Sequence, residues 1–172
     1  MQAISDLIRD VPDFPRPGVL FKDISPLLAD ADGFALCIEA LADPWRQLGV
    51  QAVCGIESRG FIFGAALART LHAGFVPVRK KGKLPPPVIG IDYGLEYGVD
   101  RLEVGASALR AGERVLIVDD VLATGGTLEA ARRLVDGLGA EVVGGSVVIE
   151  LAALAGRPRW TGATPLHALI LS

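Results

Sequence analysis

Val115-Leu116-Ile117-Val118-Asp119-Asp120-Val121-Leu122-Ala123-Thr124-Gly125-Gly126-Thr127 decides how the rest of the chain is read. Its first four residues are apolar and mostly β-branched, as in a strand buried on both faces. Asp119 and Asp120 then place two carboxylates where that strand is expected to end. The small and hydroxylated residues Ala123, Thr124, Gly125, Gly126 and Thr127 lead into L-E-A-A-R-R-L-V-D-G-L, which has helical periodicity, with Gly139 just past it. A glycine-rich turn between a buried strand and a helix N-terminus aims several backbone N–H groups at one point. The helix dipole adds positive potential there, so the turn suits a phosphate.

The acidic pair narrows the kind of phosphate. Two carboxylates repel a bare phosphate, but they can accept hydrogen bonds from the vicinal hydroxyls of a ribose 5-phosphate held by the loop. Taken singly, either aspartate is as well explained by the end of a strand and the cap of a turn. Taken together with the strand and the loop, the sugar phosphate is the better reading.

The chain has 172 residues, enough for one domain, with 51% hydrophobic and 22% charged residues. That composition builds a full core and is not that of a disordered chain. A net charge of −3 excludes a general nucleic-acid binder, which would carry a basic excess. No apolar run reaches membrane-span length, and the N-terminus lacks the basic and apolar regions of a secretory signal. Cys37 and Cys54 lack metal-ligand spacing and read as free thiols in a reducing compartment. A cytoplasmic location is therefore expected, with small molecules rather than nucleic acid or membrane as partners.

Upstream of the opening stretch the pattern is read in order. Ile4, Leu7 and Ile8 predict a short helix over residues 3–11, ended by Pro12. In P-D-F-P-R-P-G, three prolines and a glycine rule out a regular element, and the apolar V-L-F that follows packs on the body or lines a pocket. Such a loop can hydrogen-bond a flat heterocycle through its backbone; a packed N-terminal arm stands equally well on composition. F-A-L-C-I-E-A-L-A-D-P-W-R-Q-L predicts a helix with a kink or join at Pro44. Residues 52–56 predict a buried strand ending in Glu57, Ser58, Arg59 and Gly60, and F-I-F-G-A-A-L-A-R-T-L the helix after it. This repeats the strand–polar turn–helix plan, so two ligand loops are expected side by side at one edge of a parallel sheet. Alone, Arg59 reads as a solvated charge; beside a phosphate loop it becomes a candidate for bidentate phosphate contact.

Residues 74–78 predict a third strand. Arg79, Lys80, Lys81 and Lys83 then gather four cations within five residues, a local anion site or an ordinary basic surface loop. Residues 88–104 alternate in polarity and are punctuated by Gly90, Gly94 and Gly98, which reads as a hairpin or flap outside the central sheet. Within it, Glu96 is either an exposed strand carboxylate or an acid–base group carried over a substrate. Strands are expected over residues 140–149 and 167–171, a helical turn over 151–154, and His72 and His167 read as structural.

The opening stretch resembles the phosphoribosyl-pyrophosphate signature of the type I phosphoribosyltransferases. P-D-F-P-R-P-G-V-L-F-K-D-I-S-P, E-S-R-G-F-I-F-G, V-R-K-K-G-K-L-P and D-Y-G-L-E-Y-G resemble the adenine-using members of that family in order and spacing. The resemblance runs over roughly residues 6–150. It implies an α/β fold with a central, mostly parallel sheet flanked by helices, an N-terminal hood within residues 1–28 and a basic loop and flexible flap over 79–104, in one domain spanning 1–172. It further implies that Asp119 and Asp120 bind the ribose hydroxyls, and that Ala123, Thr124, Gly125, Gly126 and Thr127 bind the 5-phosphate. Glu57, Ser58 and Arg59 would form a pyrophosphate loop with a non-proline cis peptide. Arg79, Lys80 and Lys83 would neutralise pyrophosphate, with Mg²⁺ held mainly through the substrate and no protein ligand assigned to it. Leu20 and Lys22 would offer backbone groups to adenine under Phe21, and Glu96 would accept the proton lost from the base. A homodimer is expected on the same ground. Lys22, Pro86-Pro87 and Gly94 depart from residues common among relatives.

Two dinucleotide or triphosphate motifs are excluded: no lysine follows the glycines as in a P-loop, and G-x-G-x-x-G is absent. A transferase for an oxopurine is the enzymatic rival. Such enzymes resemble one another in a base-recognising lysine late in the chain, whereas no lysine follows Lys83 here. A non-catalytic sensor of phosphoribosyl-pyrophosphate is the rival of another class, and the intact basic loop and flap speak against it.

Overall fold

A computed structural model describes residues 2–95 and 98–172. Strands β3 (Ala52–Ile56), β4 (Gly74–Lys80), β7 (Arg114–Leu122), β8 (Glu141–Glu150) and β9 (Leu166–Leu171) form a parallel sheet in the order β4-β3-β7-β8-β9. The alternation of side chains along β7 sends Val115 and Ile117 to one face and Leu116 and Val118 to the other, and all four are buried. The first face packs on Leu128, Ala131, Leu134 and Val135 of helix α5 (Gly126–Gly137). The second packs on Cys37 and Leu41 of α3 (Ala31–Ala42) and Phe63 and Leu67 of α4 (Gly60–Thr70). Asp30 caps α3 by accepting a hydrogen bond from the Gly33 amide at 2.7 Å, and the helix ends at Ala42 in a 3-10 turn, Asp43–Trp45, around Pro44.

Four features differ from the sequence reading. The N-terminal helix, α1, covers only Gln2–Ser5; Arg9–Val11 is instead strand β1, paired antiparallel with β2 (Phe21–Asp23) in a two-stranded sheet of its own. Cross-strand charge pairing explains the switch, with Lys22 Nζ 2.7 Å from Asp10 Oδ1 and Arg9 Nη2 2.5 Å from Asp23 Oδ2. The same pairing gives residues 21–23 of the proline-rich segment a regular strand. β7 runs to Leu122, so Asp119 and Asp120 lie inside the strand rather than at its end, and β7 stays paired with β8 through Leu122 and Glu150.

The fourth difference concerns the flap. β5 (Val88–Leu95) and β6 (Gly98–Gly105) form the expected hairpin, yet it joins the central sheet: β4 extends past Val78 and pairs antiparallel with β6 at Arg79–Glu103 and Lys80–Leu102. Tyr93, Leu102 and Val104 are buried in the α5-side core, which holds the base of the hairpin down. None of the described helices is long and apolar enough to cross a membrane.

Candidate active site

The parallel pairing of β3 with β7 sets Gly55 opposite Val118, so the turn after Ile56 leaves the sheet beside Asp119 and Asp120. Gly60, the first residue of α4, makes that approach feasible: a Cβ there would lie 2.9 Å from both Asp119 Oδ1 and the Val118 carbonyl. Arg59 therefore reaches the acidic pair, with its Nε 2.8 Å from Asp120 Oδ2. The contact is an ion pair without hydrogen-bond alignment, because Asp120 Oδ2 is buried and has no hydrogen-bond partner among the described residues. Burial, reinforced for Asp119 by the charge of Asp120, raises both carboxyls above their ordinary range, while Arg59 works in the opposite direction. Two adjacent acids held this way are poised to accept hydrogen bonds or meet a cation.

Beyond them, Val121, Leu122, Ala123, Thr124, Gly125, Thr127 and Leu128 enclose a cup of about 50 Å³. Gly125 is the N-cap of α5 with φ 82°, a left-handed conformation that favours glycine and lets the loop turn into the helix. The cup thus opens on the α5 N-terminus, as an anion site requires. Gly126 lies against the hairpin: a Cβ there would be 3.2 Å from the Gly94 carbonyl oxygen and 3.7 Å from the Tyr93 ring.

The predicted pyrophosphate residues fall into two groups. Glu57 and Ser58 are joined by a cis peptide, the conformation the resemblance implied. The Glu57 carboxylate points at the basic loop: Arg79 Nη2 donates to Oε1 at 2.9 Å, Arg79 Nε to Oε2 at 3.3 Å, and the Lys80 amide to Oε2 at 2.9 Å. These bonds, the Arg79 side chain first, hold Glu57 below its usual carboxylate range. Lys80 binds Asp100 of β6 and stands 3.4 Å from the Tyr93 hydroxyl. Burial, the largest single influence, would lower Lys80, but the bond it donates to Asp100 and its contact with Tyr93 together outweigh burial and hold the ammonium above its ordinary range. Among the described residues Lys83 pairs with no carboxylate within 4.0 Å. The sequence reading placed the cations; it missed Asp100 and Tyr93, whose only signal was their position opposite one another in an alternating hairpin.

The N-terminal hood meets the same edge. Phe21 lies under the Arg59 guanidinium, 4.9 Å from its centroid to Cζ, and packs edge-on against Phe14 at 5.1 Å. Phe14 and Leu20 are about half exposed, an apolar surface of the kind a planar ligand covers. Lys22 turns its side chain to Asp10, the residue opposite it in the β1–β2 pair. Glu96, the predicted proton acceptor, lies outside the described residues. Among those residues, no three His, Cys, Asp or Glu side chains gather into a metal cluster.

The phosphoribosyl transferase domain model matches residues 27–163. An adenine phosphoribosyltransferase of Xanthomonas campestris pv. campestris (strain B100) is 57% identical over 166 residues, covering 96% of this chain and 89% of its own. Among solved structures, the adenine phosphoribosyltransferase of Rhodothermus marinus superposes with a TM-score of 0.94 at 51% identity, over 99% of both chains. That of Saccharomyces cerevisiae, complexed with D-2,5-dideoxy-2,5-imino-altritol 1,6-bisphosphate and adenine, gives 0.91 at 39% identity over 98% of this chain and 97% of its own. The matches run past Glu150, into the segment where the sequence motifs gave out.

Proposed function

Because the chain belongs to the phosphoribosyl transferase family, and within it to the adenine phosphoribosyltransferases, we infer that it transfers the 5-phosphoribosyl group of phosphoribosyl-pyrophosphate to adenine, giving AMP and pyrophosphate in purine salvage. One observation carries the assignment of its residues. Arg59 touches both Asp120 and Phe21, so the acidic pair, the Glu57–Ser58 turn and the hood converge at one end of the sheet. A base on the hood and a ribose on the acids then face each other across Arg59.

Asp119 and Asp120 accept from the ribose hydroxyls, and the backbone N–H groups of Ala123, Thr124, Gly125, Gly126 and Thr127 hold the 5-phosphate at the α5 N-terminus. Arg59, Arg79, Lys80 and Lys83 face the pyrophosphate. As pyrophosphate leaves C1′, positive charge develops on the ribose, so the cations stabilise the leaving group and the two aspartates the cationic sugar. Leu20 and Lys22 present backbone groups to the adenine edge while Phe21 covers its face. Glu96 takes the proton that the base loses as its N9 bonds to C1′. Mg²⁺, held mainly through the phosphate oxygens of the substrate beside the carboxylates of Asp119 and Asp120, would supply further neutralisation of the pyrophosphate when bound. The working form is a cytoplasmic homodimer.

Initial rates with adenine, hypoxanthine, guanine and xanthine test the assignment. Adenine is expected to turn over far faster than the others. Equal or better use of an oxopurine overturns the base assignment, and no turnover of any base favours a phosphoribosyl-pyrophosphate sensor. For the flap, Glu96→Ala should lower kcat by about 10²- to 10⁴-fold with little change in phosphoribosyl-pyrophosphate binding; an unchanged kcat removes Glu96 from the mechanism.

A further inference from the structure

We propose that residues 151–160, which follow β8 and carry none of the substrate contacts assigned above, form a strap that positions the phosphate loop, with Gly156 as its contact point. The proposal rests on the reading of residues 123–127 as the 5-phosphate site. Gly156 is buried and has φ −76°, a conformation open to any residue, so its backbone does not call for glycine. Space does. A Cβ at Gly156 would overlap the Ala123 carbonyl oxygen and lie 2.8 Å from both the Gly125 nitrogen and the Thr124 carbonyl carbon. The contact is reciprocal, since a Cβ at Gly125 would overlap the Gly156 carbonyl oxygen and come 3.0 Å from Arg159 Cβ. Two backbones therefore meet directly at the loop that supplies the phosphate-binding amides, with no side chain between them to absorb a shift.

The strap is fastened on both sides of that contact. At its start the Leu151 amide donates to the Leu122 carbonyl at 2.9 Å, and the Ala152 amide to the Ser172 carbonyl at 2.8 Å. At its end the Trp160 indole is buried and donates to the Thr164 carbonyl at 2.9 Å. Next to Gly156, Arg157 forks onto the buried Glu150 carboxylate, its Nε 3.0 Å and 3.1 Å from the two oxygens, and its Nη1 donates to the Leu166 carbonyl at 2.8 Å. Arg157 thus ties the residue beside the contact to the ends of β8 and β9. A 5-phosphate cup made of amides works only if those amides converge to within a few tenths of an ångström, and the strap sets that convergence. Gly156 and Arg157 are positioning residues; neither touches substrate.

Ligand binding by calorimetry separates positioning from general destabilisation. In the wild-type enzyme with Mg²⁺, ribose 5-phosphate probes the loop and inorganic pyrophosphate probes the Arg79–Lys83 side. Gly156→Ala should weaken ribose 5-phosphate by tenfold or more and raise KM for phosphoribosyl-pyrophosphate, while pyrophosphate affinity and KM for adenine stay within twofold. Arg157→Lys keeps Glu150 neutralised but loses the fork and the Leu166 bond, and should weaken ribose 5-phosphate by about threefold; it decides the matter if Gly156→Ala does not fold. Unchanged ribose 5-phosphate binding in the variants, or equal loss of both ligands, overturns the strap. Absence of ribose 5-phosphate binding in the wild type instead overturns the phosphate-loop reading beneath it.

Discussion

The two adjacent carboxylates at Asp119 and Asp120 are costly to the ligand-free protein. Burial and mutual repulsion raise Asp119, so its charged form is less favourable in the folded chain than in the unfolded one. A raised folded value means that stability is fullest below the unfolded value near pH 3.8 and declines as pH climbs through the folded one. Asp119→Asn, whose amide oxygen can still accept the Asp120 N–H, should therefore stabilise the ligand-free protein at pH 7 by about 1 kcal/mol. The gain should vanish as pH falls toward 4, where the native carboxyl is protonated anyway. Urea unfolding at the two pH values reads the difference, and phosphoribosyl-pyrophosphate binding should weaken in the same variant. A variant less stable than the wild type at pH 7 contradicts the repulsion argument. Asp119 and Asp120 stand out in the sequence because two carboxylates directly follow a β-branched run and precede a glycine-rich turn. Their pairing with Arg59 was legible only as a repeated strand–turn–helix plan, since contact across two loops depends on the register of β3 against β7.

At the scale of elements, the hairpin β5–β6 and the basic end of β4 act as one unit. Lys80 is held by Asp100 across the β4–β6 pairing, so the cation that should meet pyrophosphate already has a carboxylate partner. Asp100→Asn should free it and strengthen product inhibition by pyrophosphate by about two- to fivefold, the size of a part-exposed ion pair. Unchanged or weaker inhibition would remove Lys80 from the pyrophosphate site. The sequence located the hairpin through its alternation and glycines, but not its attachment, because two residues of antiparallel pairing leave no periodic trace. The N-terminal helix expected over residues 3–11 is shorter for a related reason. Ile4, Leu7 and Ile8 satisfy helical spacing, yet residues 9–11 gain more from pairing with Phe21–Asp23, an interaction between partners a dozen positions apart. The helices α3, α4 and α5 and the strands β3, β7 and β8 were readable because each is long, periodic or continuously apolar, and local pattern and tertiary packing agree.

The molecule as a whole buries its sheet between two layers, and its thiols report on that burial. Cys37 on α3 and Cys54 on β3 are both free and fully buried, and burial pushes each thiol up to about 12, for Cys54 with help from the Glu113 charge. At pH 8 neither should react with a thiol reagent at an appreciable rate until the core opens, so labelling should track urea unfolding and both cysteines should titrate only in denaturant. Rapid reaction of either thiol in the native protein would show that its layer opens locally. The division of hydrogen bonding into two separate sheets has a different consequence. β1 and β2 pair only with each other, while the loops assigned to the sugar and the phosphates hang from the seven-stranded ladder. Exchanges confined to β1, β2 and the turn between them break no hydrogen bond of the β3, β7 and β8 ladder, provided that Ile4, Ile24 and Leu27 keep their places in the core. The β1–β2 pair, proposed above to meet the base, can therefore diverge or be grafted between relatives without rewiring the ladder that carries the proposed sugar and phosphate loops.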